Sequence, residues 1–200
     1  MKLIKTIVAT ALLTLGMQTA AAQECCKKKN AVIESILTRT SIRKWQPQTV
    51  EAGKIDTLLR AGMAAPTAVN KQPWHFVAVT DKNIIKQLGG GDMFAQAPLA
   101  IVVCGNMEKA LQGPGHDFWI QDVSAATENI LLAAHALGLG AVWTGVWPRQ
   151  ERAQNVASVI GSPEYIIPLS VILIGYPAEQ PAPKQKFTLE NVSYNSYGNR

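Results

Sequence analysis

The amino-acid sequence predicts an α+β fold in which helices flank a central mixed β-sheet and an extended tail closes the chain. Segments with helical apolar spacing alternate irregularly with four short apolar runs, a pattern typical of strands covered by helices. The 200 residues contain neither an internal repeat nor a second domain. The segment from Pro177 onwards is rich in proline and too polar to belong to a core.

Two helices are predicted at the start of this domain. Asn30 is a residue type that caps helices, and both segments place apolar residues on one face. The first stripe is Val32, Ile33, Ile36 and Leu37; the second, within residues 51–63, is Ile55, Leu58, Leu59 and Met63. We expect the second set to be buried.

Strands and helices then follow one another to the end of the predicted core. A short helix over residues 82–88 stops at three glycines, and the alanine-rich helix 120–137 ends at Gly138 and Gly140. A further helix covers residues 149–160. The apolar runs predict strands at 75–80, 99–104, 141–146 and 166–174. Cys104 ends the second run and is interpreted as a small buried hydrophobic residue.

The first 22 residues have the pattern of a secretory signal peptide. Lys2 and Lys5 are followed by an uncharged apolar stretch over residues 7–16, and residues 20–22 are three alanines. We expect cleavage after Ala22, a flexible basic tail at 23–29, and a single domain over 30–200. The protein is then exported, to the periplasm of a bacterium. No later segment has a long uncharged apolar run, so we expect no stable membrane span in the mature chain.

Charge and cysteine content argue against two other classes of protein. The net charge of +5 falls to +3 after cleavage, and residues 24–29 contribute +2 of that, which leaves a nearly neutral domain without the footprint of a nucleic-acid binder. The three cysteines form no CxxC motif, and the three histidines lie far apart in the sequence. We therefore expect no metal site. Whether Cys25 and Cys26 form a disulfide stays open.

Three polar segments are candidates for a ligand site. Residues 39–43 (Arg-Thr-Ser-Ile-Arg) combine two guanidinium groups with two hydroxyls, which suits a phosphate or a polyol, although this segment alone also fits a solvated helix end. Residues 65–74 form a loop of small residues, prolines and amides that permits a planar ligand to approach the backbone. Thr144 and Gly145 end a strand, and glycine exposes its backbone without obstruction.

Taken in order, these three segments resemble the FMN-binding signature of the nitroreductase family, and the resemblance extends over about residues 32–194. It implies a nitroreductase-like fold, FMN as cofactor and a homodimer with flavin sites at its interface. The implied roles fall on residues of each segment. The FMN phosphate, ribityl chain and pyrimidine edge are held by Arg39, Ser41 and Arg43, with Thr40 contributing locally. Asn70 faces the flavin ring, and Gln72 offers an amide edge. The partner's flavin is reached by Pro66, Thr67 and Ala68, and flavin N5 lies near Thr144 and Gly145.

The resemblance also implies that a basic pair in the C-terminal tail closes the phosphate site. Lys184 and Lys186 occupy those positions. Many members of the family have arginine at the second position, so Lys186 keeps the charge but lacks the bidentate fork. A solvated tail is the alternative interpretation of both lysines.

The function implied is transfer of a hydride through FMN to electron-poor small molecules such as nitro compounds or quinones. Alternatives are a dehalogenase or a flavin-consuming oxygenase on the same scaffold, or a flavin carrier without steady turnover. No residue is identified as a general acid or base. NAD(P)H is the family's usual electron donor, but it is made in the cytoplasm. For an exported protein we therefore expect a donor other than freely diffusing NAD(P)H.

Overall fold

The structure, a computed structural model, describes residues 30–199. Of the described residues, 30–37 belong to one unit and 38–199 to another. The predicted signal peptide, the basic tail and the pair Cys25 and Cys26 lie outside the described residues, and the single domain expected over 30–200 stays a prediction. Within the described range no helix has both the length and the apolar character needed to cross a membrane.

Helix α1 (Ala31–Thr38) lies in the first unit except for its last residue. It begins as predicted, because the Asn30 side-chain oxygen accepts hydrogen bonds from the backbone N–H groups of Val32 and Ile33, at 3.0 and 3.3 Å. The four residues of its apolar stripe are 50 to 69% exposed. The predicted apolar stripe is therefore exposed on the surface of the helix.

The second unit is built on a four-stranded sheet with the order β1-β2-β4-β3. The strands are β1 (Trp74–Val79), β2 (Leu99–Asn106), β3 (Gly140–Gly145) and β4 (Ile166–Gly175). Each pairs antiparallel with its neighbours. The α+β class is confirmed. The sheet is mixed only through one isolated parallel bridge, between Ser41 and Ala141.

Both faces of this sheet are buried, because side chains of the two central strands alternate between two cores. Ala100, Val102 and Cys104 of β2 face one core, whereas Leu99, Ile101 and Val103 face the other. Cys104 is completely buried, as predicted, and its burial raises the pKa of the thiol to about 12. The central strands thus form an apolar layer between two layers of helices.

Two helices cover one face and three shorter ones cover the other. The first group is α2 (Ala52–Met63) and α5 (Phe118–Ala136); the second is α3 (Lys82–Gln87), α4 (Asp92–Gln96) and α6 (Gln150–Ile160). The sequence predicted all but α4, whose five residues are too few to show helical spacing. The expected burial of Met63 is wrong, since its side chain is 53% exposed. Five residues place Met63 about 140° around the helix from buried Leu58.

Candidate functional site

The polar segment 39–43 lies along the edge of the sheet at β3. Ser41 forms the parallel bridge with Ala141, and the Ile42 N–H donates to the Ala141 carbonyl at 3.0 Å. Gly140 permits this close approach, because a Cβ atom there would lie 2.6 Å from the Ile42 side chain. The sequence of β3 therefore fixes where the polar segment runs.

Arg39 and Thr40 line a cavity of about 290 Å³ between this segment, the end of α5 and the start of the tail. The Arg39 side chain is 18% exposed, and its Nε lies 3.3 Å from a carboxylate oxygen of Glu128 on α5. Farther along the same helix, His135 Nε2 lies 2.9 Å from the Thr38 hydroxyl. A cavity with an oriented guanidinium at its wall is suited to bind an anion.

The tail returns to the polar segment and pairs with it. The backbone N–H of Arg43 donates to a carboxylate oxygen of Glu179 at 2.7 Å, and the Ala178 N–H donates to the Lys44 carbonyl at 3.0 Å. The Arg43 side chain is exposed. Lys184 and Lys186 are also exposed, and no contact of either with the cavity is described within residues 30–199. Their part in a phosphate site stays a prediction.

The loop that precedes β1 has an unusual backbone. Val69, Asn70 and Gln72 have φ angles of 42, 56 and 51°, in the left-handed region that residues other than glycine rarely adopt. The Thr67 hydroxyl accepts the Gln72 N–H, and the Gln72 amide donates to the Asn70 side-chain oxygen, both at 3.0 Å. This pairing uses the Asn70 oxygen and one Gln72 N–H, so it does not engage the Asn70 NH₂ or the Gln72 oxygen. Both side chains are exposed.

Asp122 holds this loop against α5, and the sequence analysis did not identify it. Its carboxylate accepts the Ala68 N–H at 2.8 Å, and the residue is only 7% exposed. A buried carboxylate needs such a partner, because an unpaired charge is costly away from water. The available signal was an acidic residue between Trp119 and Val123, both of which face the core. Pro66, at the start of the loop, is exposed.

Thr144 and Gly145 end β3 in different ways. The Thr144 hydroxyl donates to the Val171 carbonyl of β4 at 2.7 Å, so the side chain is committed to the sheet and only its backbone can serve a ligand. Gly145 is exposed, and a Cβ atom added there would meet nothing within 4 Å. Its carbonyl accepts the Arg152 Nε–H at 2.9 Å. Gly145 therefore offers open backbone surface at the end of the strand that carries the Arg39 segment.

The structure places the three segments at different positions along and across the sheet. Residues 39–43 run beside the start of β3 at Ala141, and Gly145 ends that strand four residues, about 13 Å, farther along. The loop 65–73 leads into β1, which lies three strand spacings, about 14 Å, across the sheet from β3. Asp122 contacts the loop and Glu128 contacts Arg39; these two positions of α5 are six residues apart, which is about 9 Å along the helix axis and about 120° around it.

The described residues contain no group of three or more His, Cys, Asp or Glu side chains that is suited to hold a metal ion. Along the β3 edge the described groups are guanidiniums, hydroxyls and the open backbone of Gly145.

Comparison with known proteins gives consistent matches over most of the chain. The model of the nitroreductase family matches residues 36–90 and 83–176. A Methanothermobacter thermautotrophicus protein, whose name pairs NADH dehydrogenase with NAD(P)H nitroreductase, is 45% identical over 170 residues, covering 82% of this chain and 86% of its own length. An FMN reductase [NAD(P)H] of Bacillus subtilis is 29% identical over 184 residues, with coverages of 82% and 73%. The structure of an FMN-dependent nitroreductase of Clostridium difficile superposes with a TM-score of 0.75 at 31% identity, over 82% of this chain and 99% of that one.

Proposed function

The chain belongs to the nitroreductase family, and on that premise we propose that it is an FMN-dependent oxidoreductase that passes electrons to electron-poor small molecules such as nitro compounds or quinones. The observation that carries the proposal is the β3 edge. There an oriented guanidinium lines a cavity, and an open glycine backbone ends the same strand.

The donor set along this edge fits FMN. Arg39 and Thr40 at the cavity supply a charged fork and a hydroxyl for the phosphate, and the Ser41 hydroxyl stands next in the chain. Gly145 leaves open space where a side chain would obstruct a planar ring. Glu128 orients Arg39 from one side and leaves the other guanidinium nitrogens for an anion. Each of these groups binds or positions; none is placed to transfer a proton.

FMN supplies the hydride chemistry when it is bound, and the protein supplies orientation and electrostatics. The exposed Arg43 places positive charge beside the β3 edge, which favours the reduced, anionic form of a flavin. Stopped-flow reduction of the holoprotein, followed by mixing with nitroaromatic or quinone acceptors, tests turnover. Reoxidation faster than that of free FMN supports an oxidoreductase. Reoxidation at the rate of free FMN refutes it and leaves a carrier.

We further propose that each flavin site takes residues from two copies of the chain. Within one chain, the Arg39 segment lies beside β3 and the loop that carries Asn70 leads into β1, at opposite edges of the sheet. A single ligand would have to span the width of the sheet to contact both. The small and polar loop residues Pro66, Thr67 and Ala68 would then complete the site of the second copy in a homodimer.

Complementation between two defective variants tests this arrangement. Arg39→Glu removes the phosphate ligand, and Asn70→Gly removes the amide while tolerating the φ of 56°. In a heterodimer of the two variants, a shared site leaves one of the two sites fully intact. The mixture should therefore regain flavin that neither homodimer retains. If all ligands came from one chain, both sites would carry one defect and no flavin would be regained.

Export and the electron donor are linked proposals. The relatives' names include NADH and NAD(P)H, whereas the pattern of residues 1–22 favours transfer out of the cytoplasm. We propose that the mature chain begins at Gln23 in the periplasm and takes electrons from a donor other than freely diffusing NAD(P)H. Intact-mass analysis of protein from cell fractions tests the first part. Full-length protein in the cytosol would contradict it and make NAD(P)H the expected donor.

A further inference from the structure

A second polar cavity, of about 370 Å³, lies where the end of α3 meets the start of α6. We call it the basic pocket and define it by Lys86, Arg149 and Arg152, together with the backbone of Gly89 and Gly90. It shares no residue with the cavity at Arg39. The proposed flavin function makes no use of it.

The basic pocket concentrates positive charge without balancing it. Glu151 is the single acidic residue that lines it, and none of the ion pairs described within residues 30–199 involves Lys86, Arg149 or Arg152. Burial, and then the neighbouring charge of Arg149, lower the pKa of Arg152. Like charges held together in this way destabilise one another, and a bound anion would relieve that repulsion.

The donors in the basic pocket are also in position. Arg152 Nε is held by the Gly145 carbonyl at 2.9 Å, which fixes the guanidinium and leaves its terminal nitrogens for a ligand. Arg149 precedes the first turn of α6 and is exposed at the rim of the pocket. A Cβ atom at Gly90 would meet nothing within 4 Å, which leaves that side of the pocket open.

We propose that the basic pocket binds the phosphate group of a phosphorylated small molecule, at a site separate from the flavin. Forked guanidinium groups from neighbouring positions match phosphate oxygens, and the volume is that of a small-molecule site. Because Arg152 also holds Gly145, the occupant would adjoin the backbone that ends β3. The proposal does not rest on the flavin function.

Calorimetric titration with inorganic pyrophosphate tests the proposal on full-length protein purified with its bound flavin and freed of excess FMN by gel filtration. The wild-type protein should bind one pyrophosphate per chain saturably. The double variant Lys86→Gln, Arg149→Gln should bind at least about tenfold more weakly. Lys109→Gln removes one exposed charge outside the pocket and should leave the affinity within about twofold.

The possible outcomes distinguish a phosphate site from a general anion site and from nonspecific binding. Absence of saturable pyrophosphate binding to the wild-type protein overturns the proposal, as does equal weakening in the double variant and in Lys109→Gln. Succinate serves as a carboxylate of comparable charge. If succinate binds as tightly as pyrophosphate, the pocket is not specific for phosphate and the proposal is wrong.

Discussion

Replacing Asp122 with alanine should release the loop that precedes β1. The Asp122 carboxylate accepts the Ala68 N–H at 2.8 Å from a nearly buried position. A hydrogen bond to a charged group contributes about 1.5–3 kcal/mol to stability. The loop is also strained, because left-handed backbone at non-glycine residues such as Val69 and Gln72 costs about 1–3 kcal/mol each. Once the loop loses this hydrogen-bond acceptor, the backbone strain favours its relaxation to another conformation.

The release of the loop can be detected in the stability of the protein and in the behaviour of the loop itself. A loss of about 2 kcal/mol should lower Tm by about 4–8 °C in a domain of this size. Hydrogen exchange at Ala68 should become faster, and the affinity for FMN should fall because the loop then presents Asn70 in varied positions. Asp122→Asn keeps an acceptor oxygen but not the charge, and should cost about half as much, since hydrogen bonds between neutral groups contribute about 0.5–1.5 kcal/mol.

Asp56→Ala is the matched control. Asp56 also accepts a hydrogen bond at 2.7 Å, from Arg60, but both side chains are well exposed. We expect a change below about 1 kcal/mol and no change in FMN binding. If Asp122→Ala leaves both Tm and exchange at Ala68 at wild-type values, the carboxylate does not hold the loop, and the stability assigned to this contact is wrong.

Two other predictions concern the β3 edge. Arg39→Glu should abolish FMN retention, measured as flavin absorbance of the purified protein, because it replaces a guanidinium with a charge that repels phosphate; Arg60→Glu, on the exposed face of α2, should stay yellow. A yellow Arg39→Glu protein would show that the phosphate binds elsewhere. Gly140→Ala should destabilise the fold by about 1–3 kcal/mol in denaturant unfolding, since its Cβ would lie 2.6 Å from Ile42. Gly53→Ala, inside α2 with open space around it, should instead stabilise by about 0.5–1 kcal/mol, and equal effects of the two alanines would contradict the close approach at β3.

The elements of this fold were predictable because the apolar pattern specifies them locally. Strands β2 and β4 are continuous apolar runs buried on both faces, and the long helices show their spacing over three or more turns. The order of the strands was not predictable in the same way. The neighbours β2 and β4 are separated by about sixty residues, and no local pattern specifies that pairing. Helix α4 was missed because five residues after Gly91 carry no periodic signal.

The same distinction between local pattern and long-range contact applies to the candidate site. The Arg39 segment, the loop and Gly145 could be selected as candidates from the sequence because each is a short motif whose residue types indicate ligand chemistry, and their roles stay predictions. Asp122 and Glu128 were missed, since their contacts exist only once α5 packs beside these motifs. The hydroxyl of Thr144 shows the converse case: its residue type suits a ligand, but the hydrogen bond to Val171 commits it to the sheet.

The separation of the motifs is the reason for proposing a second copy of the chain, and it restricts how that copy can be arranged. One chain exposes two incomplete surfaces: the β3 edge at Gly145, where no neighbour fills the space, and the loop tip at Val69, which is 76% exposed. If the loop of one copy meets the β3 edge of another, a two-fold axis makes the reverse contact at the same time. Both sites are then completed by one interface, and the contact closes at two copies. A head-to-tail contact between the same surfaces would instead leave one loop and one β3 edge without a partner, and would continue to add chains. The molar mass can be measured by light scattering at micromolar concentrations. A molar mass that rises with each increase in concentration would indicate this open arrangement, whereas a molar mass fixed at twice that of the chain supports the closed dimer.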